Sequence, residues 1–318
     1  LDLIKVVLGS FGGRATLEQI QQALVPDVIK DDWKKWWEQA KREMKKDGHF
    51  VVPLKKTEPV VYQAQEISLQ ERVLADFRAA KGLKARVAVT AEIIKNADDL
   101  TDKAAMANEV IAALNVDLGT YLRTQTAVAL EGIFVREDLR AVAGLSPVAG
   151  EVTDAQIWAQ DVKFSVLMET LPAAKHRRAL EAFKAAHSDR WHDVVRIAIN
   201  SVTARLCREF ANLLAQEGHG VELKETLTRL VSQHMASSEL LLWLAKERSD
   251  SFADTLGPEV FRAMLTAMER DQFNEKRSNR LRDYILSDEE LLIELIGSAD
   301  LEVIKDVTRA LQAVPATP

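Results

Sequence analysis

Along most of the chain, apolar residues recur at intervals of three and four, the spacing that gathers them on one face of an α-helix. Leu1 to Leu8 predicts a short helix, and Gly9-Ser-Phe-Gly-Gly13 predicts a turn rich in residues that accept positive φ. Thr16 followed by Gln19 matches a capping box, and Leu17, Ile20 and Leu24 continue a second helix up to Pro26. From Asp31 to Lys46, Trp33, Trp36, Trp37, Ala40 and Met44 fall within an arc of about 100° at 3.6 residues per turn, and Asp47-Gly48 ends that third helix. Two β-like runs follow, His49 to Leu54 and Pro59 to Gln63, separated by Lys55-Lys-Thr-Glu58. Three helices and then a hairpin is the order of a winged helix-turn-helix.

Beyond Gln63 the pattern is helix upon helix, with segments expected near 68 to 81, 83 to 96, 101 to 117, 120 to 131 and 137 to 143. Gly144 to Gly150 is the clearest internal linker, and new helices are expected from Thr153-Asp154 and Leu171-Pro172. From Pro172 the helices come in pairs, 172 to 187 with 189 to 200, 202 to 217 with 222 to 234, 237 to 246 with 258 to 269, and 278 to 285 with 288 to 297, before a closing helix at 300 to 313. Glu239 to Leu244 resembles Glu290 to Leu295, and Val260 to Met268 resembles Val307 to Val314, offsets of about 51 and 47 residues that approach HEAT-like repeats. The expected fold is mainly α: a winged helix-turn-helix-like module over 1–64, a helical domain or the start of a solenoid over 65–150, and paired HEAT-like helices over 151–318.

Composition agrees with that pattern, since only 13 Gly and 8 Pro interrupt 318 residues with 47% hydrophobic content. A lone cysteine, Cys207, leaves no intramolecular disulfide, and no apolar run reaches the length of a membrane span, so the expected setting is cytoplasmic with no membrane partner. The net charge is -6, yet residues 1 to 62 hold 11 Lys/Arg against 9 Asp/Glu, so any polyanion-binding surface must be local. Lys34, Lys35, Lys41, Arg42, Lys45 and Lys46 lie opposite the Trp-rich face of the third helix, and Lys55 and Lys56 lie between the two β-like runs. These eight residues are the candidate nucleic-acid or partner-binding surface, while the Trp trio reads as core. Two further basic clusters occur, Lys175, His176, Arg177, Arg178, Lys184, Arg190 and Arg196, and then Arg270, Lys276, Arg277, Arg280 and Arg282. They suit either the concave face of a solenoid or interhelical ion pairs.

Candidate chemistry is sparse. His187 and His192 are five apart, off the shared face of a helix, and no Cys or carboxylate completes a metal set. Cys207 sits beside Leu206 and one turn from Phe210, a packed thiol rather than a nucleophile. No phosphate-loop, dinucleotide or nucleophile-elbow pattern is present, so no cofactor, metal or catalytic residue is expected.

The run Asp32-Trp33-Lys-Lys-Trp36-Trp37-Glu-Gln-Ala40-Lys-Arg-Glu-Met44-Lys-Lys46-Asp47-Gly-His-Phe50-Val-Val-Pro53 resembles a segment in the long N-terminal extensions of certain bacterial Gre-type transcription elongation factors, as does Ser237 to Lys246. Gre factors insert a coiled coil with an acidic tip into the secondary channel of RNA polymerase. Neither that coiled coil nor the Gly-Asp-Leu-x-Glu-Asn motif of the family occurs here, so no cleavage-assisting residue carries over. The resemblance implies a non-catalytic accessory region that contacts RNA polymerase or nucleic acid. The alternatives are a sequence-nonspecific DNA- or RNA-binding module on a helical scaffold and, further off, a HEAT-like DNA glycosylase. A chain that starts at Leu1 and stops just after a helix also reads as a piece of a longer protein.

Overall fold

The computed structural model describes residues 1–247 apart from 26, 31, 54 and 65, then 258–271, 275–297, and 302, 304 and 305. The fold is mainly α, and the chain divides into two compact units, Leu1–Val152 and Thr153–Pro318.

The first unit opens with α1 (Asp2–Ser10), β1 (Arg14–Ala15), α2 (Leu17–Leu24), α3 (Trp33–Lys46), β2 (Phe50–Val51) and β3 (Val60–Tyr62). The strands form an antiparallel sheet in the order β1-β3-β2, with Ala15 opposite Val60 and Phe50 opposite Tyr62. This is winged helix-turn-helix topology, including a strand, β1, that is too short to leave a periodic signal in the sequence. Gly12 and Gly13 take φ of +69° and +88° between α1 and β1, a conformation that side chains oppose. The turn lets the Gly13 carbonyl accept a hydrogen bond from the Tyr62 amide at 2.8 Å. The expected capping box forms: Thr16 Oγ1 accepts from the Gln19 amide and Gln19 Oε1 accepts from the Thr16 amide. Ile4, Leu8, Ile20, Leu24, Met44 and Phe50 are among the side chains that close the core of this head.

Four helices complete the unit: α4 (Leu69–Ala79), α5 (Leu83–Lys95), α6 (Lys103–Tyr121) and α7 (Thr126–Ala143). The two segments expected at 120 to 131 and 137 to 143 are one continuous helix. Its interior glycine, Gly132, sits where neighbouring side chains come close: a Cβ there would lie 3.0 Å from Leu118 and 3.4 Å from both Leu83 and Val87. Arg136 and Arg140 are buried on α7. Arg140 donates to Glu137 and Glu151, and Arg136 donates to Asn115, Glu137 and the Val152 carbonyl, so every charge has a partner. The linker at 144 to 150 thus leads into Glu151, which Arg140 grips at 2.6 Å.

In the second unit, α8 (Asp154–Trp158) and α9 (Phe164–Thr170) precede α10 (His176–Ala186), α11 (Trp191–Ala198), α12 (Ala204–Gln216), α13 (Gly220–Ser232), α14 (Ser238–Lys246), α15 (Pro258–Arg270), α16 (Glu275–Ser287) and α17 (Glu289–Gly297). Helices α12, α14 and α16 stack in sequence, α13, α15 and α17 do likewise, and each helix also packs on its hairpin partner. This is a two-layer array with contacts between near neighbours. The stacked helices start at 204, 238 and 275, so successive hairpins are 34 and 37 residues apart. The expected 51-residue offset joins α14 to α17, helices of different layers, and is therefore not the structural period: short Leu-rich helices resemble one another wherever they are buried. The segments 300 to 313 and 307 to 314 lie outside the described residues, 302, 304 and 305 excepted.

Replacing Gly132 with Val should lower stability by about 1–3 kcal/mol, because overpacking outweighs the gain in helix propensity. Urea unfolding of the full chain measures it, and an unchanged or raised midpoint would contradict the close-approach account.

Candidate nucleic-acid interface

Helix α3 is built to show its two faces differently. Asp32 caps its N-terminus by accepting from the Lys35 amide at 3.1 Å. Trp37, Ala40 and Met44 are buried, and Trp33 stacks on Trp36 and Trp37 with centroids 5.5 and 5.6 Å apart. Burying Trp37 and Met44 contributes about 1.5–3 kcal/mol each, enough to hold α3 in one orientation. The Trp trio is thus turned to the core side of the helix.

The opposite face carries Lys34, Lys35, Arg42, Lys45 and Lys46, all exposed. Lys41 is half-buried and donates to Glu38 at 3.1 Å. That bond, reinforced by the charges of Lys41, Arg42 and Lys34, holds the exposed Glu38 carboxyl below its ordinary range. In the β2–β3 loop, Lys56 is exposed and Lys55 pairs with Glu58 at 3.6 Å. Among the described residues, Lys34, Lys35, Arg42, Lys45, Lys46 and Lys56 form no ion pair.

The C-terminal end of α3 is held by a residue that sequence reasoning missed. Arg72, on α4, donates Nη1 to the carbonyls of Lys45 and Asp47 at 2.5 and 3.1 Å, and Nη2 to that of Lys46 at 3.4 Å. It supplies positive charge to the negative end of the helix dipole. No local signal marks it, because a contact 25 to 27 residues away is set by packing. Asp47, just past the helix, accepts from the His49 amide and ring Nδ1, both at 3.0 Å, and lies 3.9 Å from Lys5. Gly48 is required next, since a Cβ there would sit 2.9 Å from the Ile67 carbonyl.

The other two basic clusters resolve into braces. Arg177 donates to Glu181 and Gln216, Lys184 pairs with Glu217 at 2.6 Å, and Arg196 donates to Asp193 and Thr226. Arg190 lies 3.4 Å from His187, and His176 is buried against the Leu171 carbonyl. Arg178 and Lys175 also have partners. Arg270 donates to the Ala236 carbonyl, Arg280 to the buried Glu239 and Arg282 to Asp283, while the side chains of Lys276 and Arg277 lie outside the described set. Each described member of the two clusters thus has a partner, in several cases a carboxylate.

His187 reaches the Trp158 carbonyl at 3.0 Å, whereas His192 stacks on His219, 4.2 Å between centroids. The two histidines weighed as a metal pair are thus engaged separately, and no group of three or more His, Cys, Asp or Glu suited to a metal occurs among the described residues. Cys207 is buried, its Sγ donates to the Ile199 carbonyl, and burial pushes its pKa up, away from the thiolate that a nucleophile needs. Among the described residues no helix is long and apolar enough to cross a membrane.

The head's topology agrees with a comparison to known families. Residues 1–67 match the GRAD helix-turn-helix domain. The chain is also similar to the transcription elongation factor GreA of Chlamydia pneumoniae, 20% identical over 96% of this chain and 43% of that protein. The transcription elongation factor GreA of Chlamydia trachomatis serovar D is 20% identical over 92% of this chain and 42% of its own length. A putative GreA-associated domains protein of Treponema pallidum is 25% identical over 31% of this chain and 15% of its own. The chain thus spans less than half the length of these relatives. No solved structure matches it significantly.

The Asp47 carboxyl is held below its ordinary 3.8, chiefly by the His49 amide. Its contribution to the head is present above that value and lost as pH falls through the lower folded pKa. Hydrogen-exchange protection of the peptide spanning α3 should therefore be weaker in Asp47→Asn than in wild type at about pH 5, with the gap closing as pH drops below 3.8. A gap that stays constant into strong acid would show that the carboxylate is not the source.

Proposed function

We propose that this chain is a non-catalytic accessory region of a Gre-type transcription elongation factor, acting in the cytoplasm, whose helix-turn-helix head and helical array make macromolecular contacts, with RNA polymerase as the protein partner. The observation that carries the reading is the extent of the similarity: two proteins named transcription elongation factor GreA align with 96% and 92% of the chain, through head and array alike. The array, read as a HEAT-like solenoid with a shortened repeat, supplies an extended docking surface. Immobilised full-length chain should retain the cognate RNA polymerase from purified components. Failure to retain it at low salt would remove the polymerase-docking reading.

A specific observation favours nucleic acid as a second contact. Among the described residues, the basic residues of α3 other than Lys41 stay without ion pairs, while those of the array's two basic clusters have partners. Under this reading Lys34, Lys35, Lys45, Lys46 and Lys56 neutralise phosphates. Affinity for DNA or RNA then falls linearly on a log–log plot against salt, and each of these lysines changed to Gln lowers the slope by about 1. Fluorescence anisotropy tests it, and binding that ignores both salt and these substitutions would refute it.

A further inference from the structure

The exposed face of α3 contains more than phosphate-neutralising charge. At about 100° per residue, Lys35 and Arg42 point opposite the buried Trp37–Ala40–Met44 stripe, and Glu38 lies beside them, four residues before Arg42. No aromatic residue shares this outward face, because Trp33, Trp36 and Trp37 stack against one another on the core side. Unstacked single-stranded bases therefore find no ring to lie on. A convex basic helix without aromatics instead fits the major groove of B-form DNA, while the major groove of A-form RNA is too narrow for side chains to read.

An acid in the middle of such a face opposes phosphate binding, so its placement calls for a reason. Lys41 holds Glu38 Oε1 at 3.1 Å, which fixes the carboxylate and leaves Oε2 without a hydrogen bond among the described residues. Arg42 is exposed and forms no ion pair among the described residues. At 1.5 Å rise per residue, positions four apart are separated by about 6 Å along the helix, a span of roughly two base-pair steps. The helix is also held at both ends, by Asp32 at its start and by Arg72 at its finish.

Resting on the nucleic-acid reading of the head, we propose that α3 reads duplex DNA by sequence, with Glu38 accepting from the exocyclic amine of a cytosine and Arg42 donating to O6 and N7 of a nearby guanine. Lys34, Lys35, Lys45 and Lys46 hold the flanking phosphates, and Lys41 is a positioning residue for Glu38. These are the pairings that groove chemistry favours for a carboxylate and a guanidinium.

The test is selection by the full chain from a pool of duplexes with a random core, followed by anisotropy with the enriched duplex, a scrambled duplex of equal composition and the separated strands, all at one salt concentration. The enriched duplex should contain a fixed C and a fixed G within a few base pairs and bind at least about tenfold tighter than the scrambled one. Glu38→Gln should reduce discrimination at the cytosine position by about 5- to 150-fold without weakening scrambled-duplex binding. Arg42→Lys, which keeps the charge, should do the same at the guanine position. Both positions are exposed, and circular dichroism would verify that the variants remain folded. Duplex binding without an enriched sequence, or an enriched sequence whose preferences survive both substitutions, would overturn base reading while leaving the nucleic-acid function standing. Absence of binding to any duplex would overturn both.

Discussion

The head depends on the way α3 is anchored. Its Trp37, Ala40 and Met44 stripe enters the core, and the rest of the helix has no choice about which residues it shows outside. Each end is then secured by a different device, a side-chain cap from Asp32 and a guanidinium from α4 laid over three terminal carbonyls. An exposed row of lysines on a frayed helix would be a diffuse charge. On a helix fixed at both ends it is a surface with defined positions, which is what recognition requires.

The array solves a different problem. Each hairpin buries its apolar face only by stacking on the next, and buried polar groups must find partners there. Glu239 illustrates this: it is 3% exposed, accepts from the Ala204 amide at the start of α12 and from Arg280 on α16, and so ties three successive helices of one layer. Asn200 plays a similar part by accepting from the Ser237 amide and donating to the Met235 carbonyl. Charge is therefore used in two ways along one chain, internally where helices stack and outwardly on α3.

Local rules made much of this legible. The capping box at Thr16, the apolar stripe of α3 and the order of three helices before a hairpin rest on near-neighbour geometry, and each was readable from residue types within a few positions. The candidate basic residues of α3 could be placed opposite the Trp face for the same reason. The strand β1 escaped because two residues carry no period, and α7, expected as two segments, is one helix whose Gly132 packs against Leu118, Leu83 and Val87, contacts that no local spacing encodes. The 51-residue offset misled because similarity between short apolar helices reports burial, not position in an array.

The sequence by itself determined the helical class, the polarity of α3 and the scarcity of catalytic motifs, since these follow from composition and from spacings shorter than two helical turns. Tertiary structure decided which charges remain available. Lys34 and Arg280 are equally basic residues in helical patterns, yet among the described residues one has no ion pair and the other meets a buried carboxylate 41 positions away. Which carboxylate reaches which cation is set by the packing of helices far apart in the chain, and no local interval encodes it.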